Sequence, residues 1–550
     1  MTQDSAKYSN HEMAKAAIQR WGELKTIRAQ HEGDWEDIAR LIRPQRGNFS
    51  SDIKSKRQEK PLSSEPIMAH GSFAAGIYSS ITNPAMRWGG VETPDVEMNA
   101  WKPMAEWLDT ATARVMASFS PSVSAFYSTT YQAYADIAAF GNAAGYDTIN
   151  MGKRRFVDIS LSLAEVVVDI DAYGQVSEFL RKYQLKPRAL VREFGTEMVP
   201  KKIRDLAETG STDDITLYYH VLPNDQFVKG KLGPQGKPWL AITACEEENC
   251  LLRVGGHDDM PAYFPRWDVD SGHVYGTGPG FVALGSARAA DLMQRAKLKA
   301  AQFAADPTKL APDRQAIPLN GTFRPGGVIY GGVDVRGNRL IHNMEHTPNI
   351  GLTHEERREA IEACKDAFHY SVMSLTGRTG VTEEETRIME QARLRNWAPH
   401  SDRIMEEYAA RKFERRFKLL WRAGQIPPPP PEAQGMPLRV RYQSGAAMAM
   451  KASEGQAIRS FINDLAPLAQ SDPRYGDRLD PDALTEALHD ASPSLPASIL
   501  RSREEADQLA QARAQQQQMV QAMQLAQQGG SVAKDLAAAM GGAGGPKEAA

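Results

Sequence analysis

Near the N-terminus the apolar positions recur at helical spacing. Ile18, Trp21 and Leu24, then Trp35, Ile38 and Ile42, share one face, so "EMAKAAIQRWGELKTIRAQHEGDWEDIARLIRP" predicts a helix stopped by Pro44. "RGNFSSDIKSKRQEKPLSSEP" is a polar loop, and residues 66–82 read as a helix of small residues that turns at "NPAMRWGGVETPD". Two further helices are expected around 99–119 and 126–140. After Gly141 the period changes. "AGYDTINM" and "FVDISLSLAEVVVDIDAYGQVSEFLRKYQL" carry valine and isoleucine runs that predict paired strands, and more strands are expected near 216–231 and 238–254. The N-terminal half therefore reads as an α+β domain ending at "YGTGPG", residues 275–280.

The middle of the chain returns to helical spacing. On a helix from about 282 to 304, Ala289, Met293, Ala296, Ala300 and Phe303 form an apolar stripe, with Arg288, Arg295 and Lys299 grouped about 100° away. A stretch rich in proline, glycine and short β-runs follows, "DPTKLAPDRQAIPLNGTFRPGGVIYGGVDVRGNRLIHNM". A second helix opens with the capping box Thr353-x-x-Glu356 and carries Ile361, Cys364, Phe368 and Val372. After "SVMSLTGRTGV", a third helix is capped by Thr382-x-x-Glu385, breaks at Pro399, restarts at Ser401 and ends at Gly424. Its last part, "RKFERRFKLLWR" (411–422), sets six basic residues against one acid. Phe413, Phe417, Leu420 and Trp421 are its expected packed side, and the charged side reads as a solvated face. "IPPPPPEAQGMP" predicts a stiff polyproline linker, residues 438–500 a smaller helical region, and "REEADQLAQARAQQQQMVQAMQLAQQ" an Ala/Gln-rich helix before a Gly/Ala tail.

Composition narrows the function classes. A chain of 550 residues is long enough for several cores, and 42% hydrophobic with 24% charged residues is ordinary for a soluble globular protein. A net charge of −3 lacks the basic excess of a typical nucleic-acid binder. Three cysteines (Cys245, Cys250, Cys364) make no disulfide framework and suggest a reducing compartment. Cys245 and Cys250 have no second ligand pair for zinc, so no metal site is expected. No apolar run reaches membrane-spanning length, and the N-terminus is polar, so neither a membrane span nor a secretory signal is expected.

"YGTGPG" invites comparison with a phosphate loop, and the spacing fails. Where a dinucleotide loop needs its third glycine stands Phe281, and Pro279 removes an N–H that phosphate would use. No G-x-x-x-x-G-K-[ST], G-x-S-x-G or H-E-x-x-H occurs. The pairs Asp169/Asp171 and Asp268/Asp270 read as turn and edge residues. The expectation is a protein that is not an enzyme and needs no cofactor.

Several stretches together resemble one family, the head-to-tail connector or portal proteins of short-tailed bacteriophages. They are "WEDIARLIRP" (35–44), "GIYSSITNPAMRWGG" (76–90), the segment 107–146, "FPRWDVDSGHVYGTGPGFVAL" (264–284), "RPGGVIY" (324–330), "GVTEEETRIMEQARLRNWAPHSDRIMEEYAARKFERRF" (380–417) and "AGQIPPPP" (423–430). They occur in order over roughly residues 15–470, departing mildly at "GVTEEETR", where the family tends to have a Thr-Ala pair before the glutamate.

The resemblance implies a portal fold of α+β class: an α+β wing (1–280), a first stem helix (281–304), a β-rich clip (305–352) and a second stem helix (353–372). A tunnel loop (373–381), a long kinked wing helix (382–424), a Pro-rich linker (425–437), a helical crown (438–528) and a disordered tail (529–550) complete it. It implies a ring, typically of twelve subunits, at the capsid vertex of a virion assembled in the host cytoplasm. The ring passes double-stranded DNA without sequence preference. Its other partners would be the terminase large subunit, tail adaptor proteins, and capsid and scaffolding proteins. Gly276, Gly278 and Gly280 become a wing-to-stem hinge supplying unusual φ/ψ, and Met293, Phe303, Ile361 and Phe368 become stem packing. DNA contacts are expected from Thr376, Arg378 and Thr379 of the tunnel loop, or otherwise from Arg288, Arg295 and Lys299. An internal virion or scaffolding protein is the alternative, suited by the C-terminus and not by the β content.

Overall fold

The computed structural model describes residues 3–47, 49, 61–150, 155–305, 309–310, 333–339, 342–343, 350–370, 400–442, 445–471, 479–491, 499–501 and 505–520. The first elements are α1 (Gln3–Leu41), α2 (Glu65–Ile81), β1 (Gly89–Glu92), α3 (Val96–Ala100), α4 (Lys102–Ser118) and α5 (Phe126–Phe140). Next come β2 (Ala144–Asn150), β3 (Arg155–Leu161), β4 (Val166–Ile170), β5 (Val176–Leu185), α6 (Pro187–Phe194) and α7 (Lys201–Glu208). Then follow β6 (Ile215–Pro223), β7 (Trp239–Cys245), β8 (Cys250–His257), β9 (Ala262–Tyr263) and α8 (Pro279–Ala305). The last are β10 (Lys309–Leu310), β11 (His342–Asn343), α9 (Ile350–Ala367), α10 (Arg411–Arg422), β12 (Arg439–Tyr442), α11 (Gly445–Ser471) and α12 (Pro481–Asp490). The chain is thus of mixed helix and sheet, in two compact units. The first comprises Met1–Gly89, Ala113–Ile426 and Tyr442–Ala446; the second comprises Gly90–Thr112, Pro427–Arg441 and Ala447–Ala550.

The first unit is built on a five-stranded sheet of order β4-β5-β6-β7-β8, antiparallel throughout. Alternation along β6 sends Tyr218 to one face and Ile215 and Leu217 to the other. On the first face Trp21 and Leu24 of α1 pack with Val167, Leu180 and Tyr218. On the second, Leu190, Val199 and Ile203, contributed by α6, α7 and the link between them, pack with Ile215, Leu217, Cys245 and Leu252. Arg28 pins α1 to the sheet edge by donating to the carbonyls of Leu163, Ala164 and Val166 at 2.9–3.0 Å. A second sheet, β3-β2-β9, continues the chain from α5.

Two details differ from the pattern of the sequence. α6 and α7 were not expected, although Pro187 at the first turn and Gly195 just past the end (φ 84°) are start and stop signals. The strand expected to reach residue 231 stops at Pro223, where the Asn224 side chain donates to the carbonyls of Pro234 and Lys237 and closes a loop.

The larger correction concerns "RKFERRFKLLWR". Its charged side is only partly solvated: Lys412 and Arg416 are each 1% exposed and Arg415 is also buried, while Glu414 and Arg422 are exposed. Lys412 Nζ lies 2.8 Å from Asp158 on β3 and 3.5 Å from Asp147 on β2, over the Tyr263 ring at 4.1 Å. Arg416 bonds both oxygens of Asp158 at 3.0–3.1 Å and stacks on Phe156. Burial pushes the lysine's pKa down, but Asp147 and Asp158 outweigh it and leave the group above its ordinary value. Burial likewise works against the Asp158 carboxylate, and Lys412 and Arg416 hold it below the usual range. On the apolar side, Phe413 packs edge-on to Trp88 at 5.9 Å, and Trp88 stacks on Phe126 at 5.5 Å. A Cβ at Gly89 would sit 2.8 Å from the Phe413 ring, so only glycine fits there. Ahead of α10, Met405–Ala410 form a π-helical turn. It carries Glu407, which receives the Arg266 backbone N–H at 2.9 Å and its guanidinium at 2.7 Å.

In the second unit, β12 pairs with β1. The proline-rich stretch is no free spacer. Pro427 accepts from the Trp107 indole at 2.8 Å, and Ala433 is buried. α11, α12 and a helical segment at 505–520 follow, while the tail 529–550 lies outside the described residues.

Removing one partner from a buried ion network strands the others. Lys412→Ala should cost about 3–5 kcal/mol, read as a lower urea midpoint at unchanged slope. A single variant within 1 kcal/mol of the parent, on the order of a surface substitution, would show that the network carries no such weight.

Candidate functional site

The junction "YGTGPG" joins β9 and the following loop to α8. Its glycines are needed for closeness rather than for backbone freedom. None of Gly276, Gly278 and Gly280 has a positive φ. A Cβ would stand 2.7 Å from the Asp268 carbonyl oxygen at Gly276, 2.8 Å from Gly141 Cα at Gly278, and 2.0 Å from the Ala139 carbonyl oxygen at Gly280. The backbone of 137–142, at the C-terminal end of α5, therefore lies directly against this stretch. Asn142 clamps it, donating to the Gly276 carbonyl at 2.7 Å and accepting the Gly276 N–H at 2.8 Å. Asp268 and Thr277 exchange backbone bonds. The unusual φ/ψ expected of these glycines is thus corrected to close backbone packing in a buried seam.

Beyond the seam, α8 and α9 lie side by side, each preceded or followed by the short pair β10–β11. The buried face of α8 is Ala283, Leu284, Ala287, Ala290 and Asp291. It is offset from the expected stripe: Ala289 and Met293 are half-buried, Ala296 is exposed, and Phe303 is 51% exposed. The reason lies in what covers the helix. It lies against α9 and also meets α1, α5 and α2, while Leu292 and Leu298 face solvent along with Phe303. Asp291 is buried because it accepts the Leu62 N–H at 2.8 Å and pairs with Arg295 at 3.0 Å.

On α9, Ile361 and Cys364 are buried as expected for one face. Phe368, just past its end, is fully buried against His70 (5.8 Å) and Phe73 (6.1 Å) of α2. His70 Nε2 meets the Ala135 carbonyl at 2.7 Å. Burial, helped by Arg43, lowers its pKa to about 4, so the ring is neutral at pH 7 and donates that bond. Arg357 anchors α9 to Glu65 at 2.6 Å.

The basic residues separate. Arg288 is ion-paired with Asp37 of α1, Arg295 with Asp291, and Lys299 is exposed. Thr376, Arg378 and Thr379 lie outside the described residues, as do Val372, the Thr382 cap and Pro399. Of the expanse 305–352, the described residues form β10–β11 and a turn at Asp334–Asn338, closed by Val333 and Arg339, with Gly337 at φ 80°.

The aspartates set aside as turn and edge residues do structural tasks. Asp169 pairs with Arg20, and Asp171 accepts the N–H groups of Tyr173 and Gln175. Among the described residues no group of three or more His, Cys, Asp and Glu could hold a metal ion, and no helix is long and apolar enough to cross a membrane. What the geometry provides is mechanical: two paired helices rooted in a rigid seam.

Residues 14–500 match the sequence model of the family described as bacteriophage head to tail connecting protein. The chain belongs to that family. It is also similar to the portal protein of Salmonella phage epsilon15, 26% identical over 533 residues and covering 94% of each chain. The probable portal protein of Bordetella phage BPP-1 is 25% identical over 538 residues, covering 95% of each. Among solved structures, a chain of the virion of the native gene transfer agent aligns with 72% of this chain and 85% of its own. That likeness, at 11% identity and a TM-score of 0.34, is too loose to argue from.

Two outcomes test the seam and its surroundings. Gly280→Ala forces backbone apart and should cost about 1–3 kcal/mol or more, seen as a lowered unfolding midpoint; an unchanged midpoint would contradict the close approach. His70 has its folded pKa below the unfolded 6.5, so the unfolded chain binds more protons as pH falls. Its contribution is intact above 6.5 and is lost down to about 4. About 2 kcal/mol should disappear between pH 7 and 5, and His70→Gln should flatten that slope.

Proposed function

We propose that this chain is a portal subunit. Copies close into a ring, expected to hold twelve, at one capsid vertex, and double-stranded DNA passes through its channel during packaging and ejection. The terminase motor docks first and tail proteins afterwards. The observation that carries this reading is the family match across residues 14–500. The exposed second half of α8 supports it. Leu292, Leu298 and Phe303 face solvent in the single chain, and a neighbouring copy is the natural cover for them. Negative-stain imaging of the purified protein tests the reading, since a portal gives rings with a central hole and an internal scaffolding protein does not.

The charge distribution suits a conduit. Each phosphate neutralised by Lys or Arg releases counterions and adds affinity, so a channel that must let DNA slide cannot be strongly basic throughout. A net charge of −3 per chain is compatible with that. With Arg288 and Arg295 occupied by carboxylates within the chain, the tunnel-loop arginine Arg378 becomes the favoured DNA contact. The contact must be to phosphates, because the motor passes every sequence.

Ring formation is best tested where the single chain does not need the residue. Phe303→Asp and Leu292→Asp should leave the subunit folded and abolish rings, as read by size-exclusion light scattering; intact rings in both would remove α8 from the subunit interface. Phe368 cannot serve, because it is core within the chain. For the channel, Arg378→Ala should preserve rings yet reduce DNA packaging or retention, more at low salt than at high. Equal packaging across a salt series would leave Arg378 without that role and return attention to Lys299.

A further inference from the structure

The two cysteines set aside as a zinc site face one another. β7 ends at Cys245 and β8 begins at Cys250, and the two are direct register partners across the antiparallel pair. Such partners stand about 4.5–5.5 Å apart at Cα, inside the roughly 4.4–6.8 Å window of a disulfide. Both side chains lie on the same face of the sheet. Cys245 is fully buried among Leu190, Ile203, Leu217 and Leu252, and Cys250 is half-buried against the same cluster. The turn between them is held tight by two non-glycine residues in the left-handed region, Glu248 (φ 60°) and Asn249 (φ 43°). A register shift between Thr243 and Ala244 brings the two cysteines opposite each other. Both thiols are free.

We propose that Cys245 and Cys250 are a reversible oxidation site, closing a cross-strand disulfide at the expense of a small-molecule disulfide such as glutathione disulfide. Their surroundings make them unequal. The Cys245 thiol, beside Cys250 and buried, is held well above its ordinary pKa. Cys250, hydrogen-bonded by Cys245, is held below its own. The half-exposed Cys250 therefore attacks first. Its thiolate displaces one glutathione thiolate and forms a mixed disulfide. Cys245 then loses its proton and attacks the Cys250 sulfur, expelling the second glutathione. Two protein thiols are oxidised, one glutathione disulfide is reduced to two thiols, and the two protons leave with them. The bond would lock the turn of the β7–β8 hairpin against the α6–α7 cluster. Cys364, buried on α9 with its thiol pushed up to about 12 by burial, has no part in it.

Tryptic digestion reads the site directly, because one peptide, residues 232–253, carries both cysteines. The full-length protein is equilibrated in graded mixtures of reduced and oxidised glutathione, quenched in acid, alkylated and mapped by mass. The peptide should lose both alkylations together and two hydrogens in mass, at a single midpoint, while Cys364 remains alkylatable after unfolding. Cys250→Ser should abolish the change and leave Cys245 unmodified. Cys245→Ser should trap glutathione on Cys250; should that core variant fail to fold, Cys250→Ser and the parent titration decide alone. A parent peptide that stays fully alkylated in oxidised glutathione, or that accumulates only the glutathione adduct, overturns the proposal.

Discussion

A lysine almost without contact with water organises the first unit. Lys412 can remain charged there only because Asp147 and Asp158 stand within reach and Arg416 completes the set. The favourable term is not the ion pair itself, since buried pairs roughly break even against apolar packing. It is the constraint: once the charges are inside, every partner must be in place, so the strands β2 and β3 have one permitted position against α10. The π-turn ahead of α10 extends the constraint. It aims Glu407 at Arg266, in the segment that leads on to "YGTGPG". One helix thus fixes the hairpin β2–β3, β9 and the approach to α8.

The seam at Gly276–Gly280 converts that rigidity into a platform. Backbone lies against backbone, and Asn142 satisfies both polar groups of Gly276. α8 leaves the seam with one face buried along its first half, at Ala283, Leu284, Ala287 and Ala290, and with Leu292, Leu298 and Phe303 facing outward further along. α9 returns beside it and is anchored through Arg357 and Phe368 to α2. For a head-to-tail connecting protein such a division has physical sense. The base must transmit load without yielding, while the distal surface is left for contacts that a single chain cannot supply.

Much of this architecture was legible along the chain, because it depends on local periodicity. The helices α1, α2, α4, α5, α8 and α9, and the change to strands after Gly141, follow from side-chain spacing and from stops such as Pro44 and Gly141. The family could be recognised because its motifs are spread in order through those same elements. α6 and α7 were missed because each is only two turns long, too short for a period to emerge from a polar background.

What sequence alone could not decide is what faces what. "RKFERRFKLLWR" carries one amphipathic pattern whether its charged side meets water or aspartates, and those aspartates lie more than two hundred residues earlier. Glycine spacing in "YGTGPG" excludes a phosphate loop but does not say whether the glycines serve backbone freedom or close packing, and the approach of residues 137–142 shows the close packing. The apolar stripe of α8 was drawn one face away from the one that is buried, because the helices that pack on it, α9, α1 and α5, are not written in its own residues. Periodicity is a property of one segment and is written in its own residues. Burial and pairing are properties of two segments, and the partner is settled only when the chain has folded.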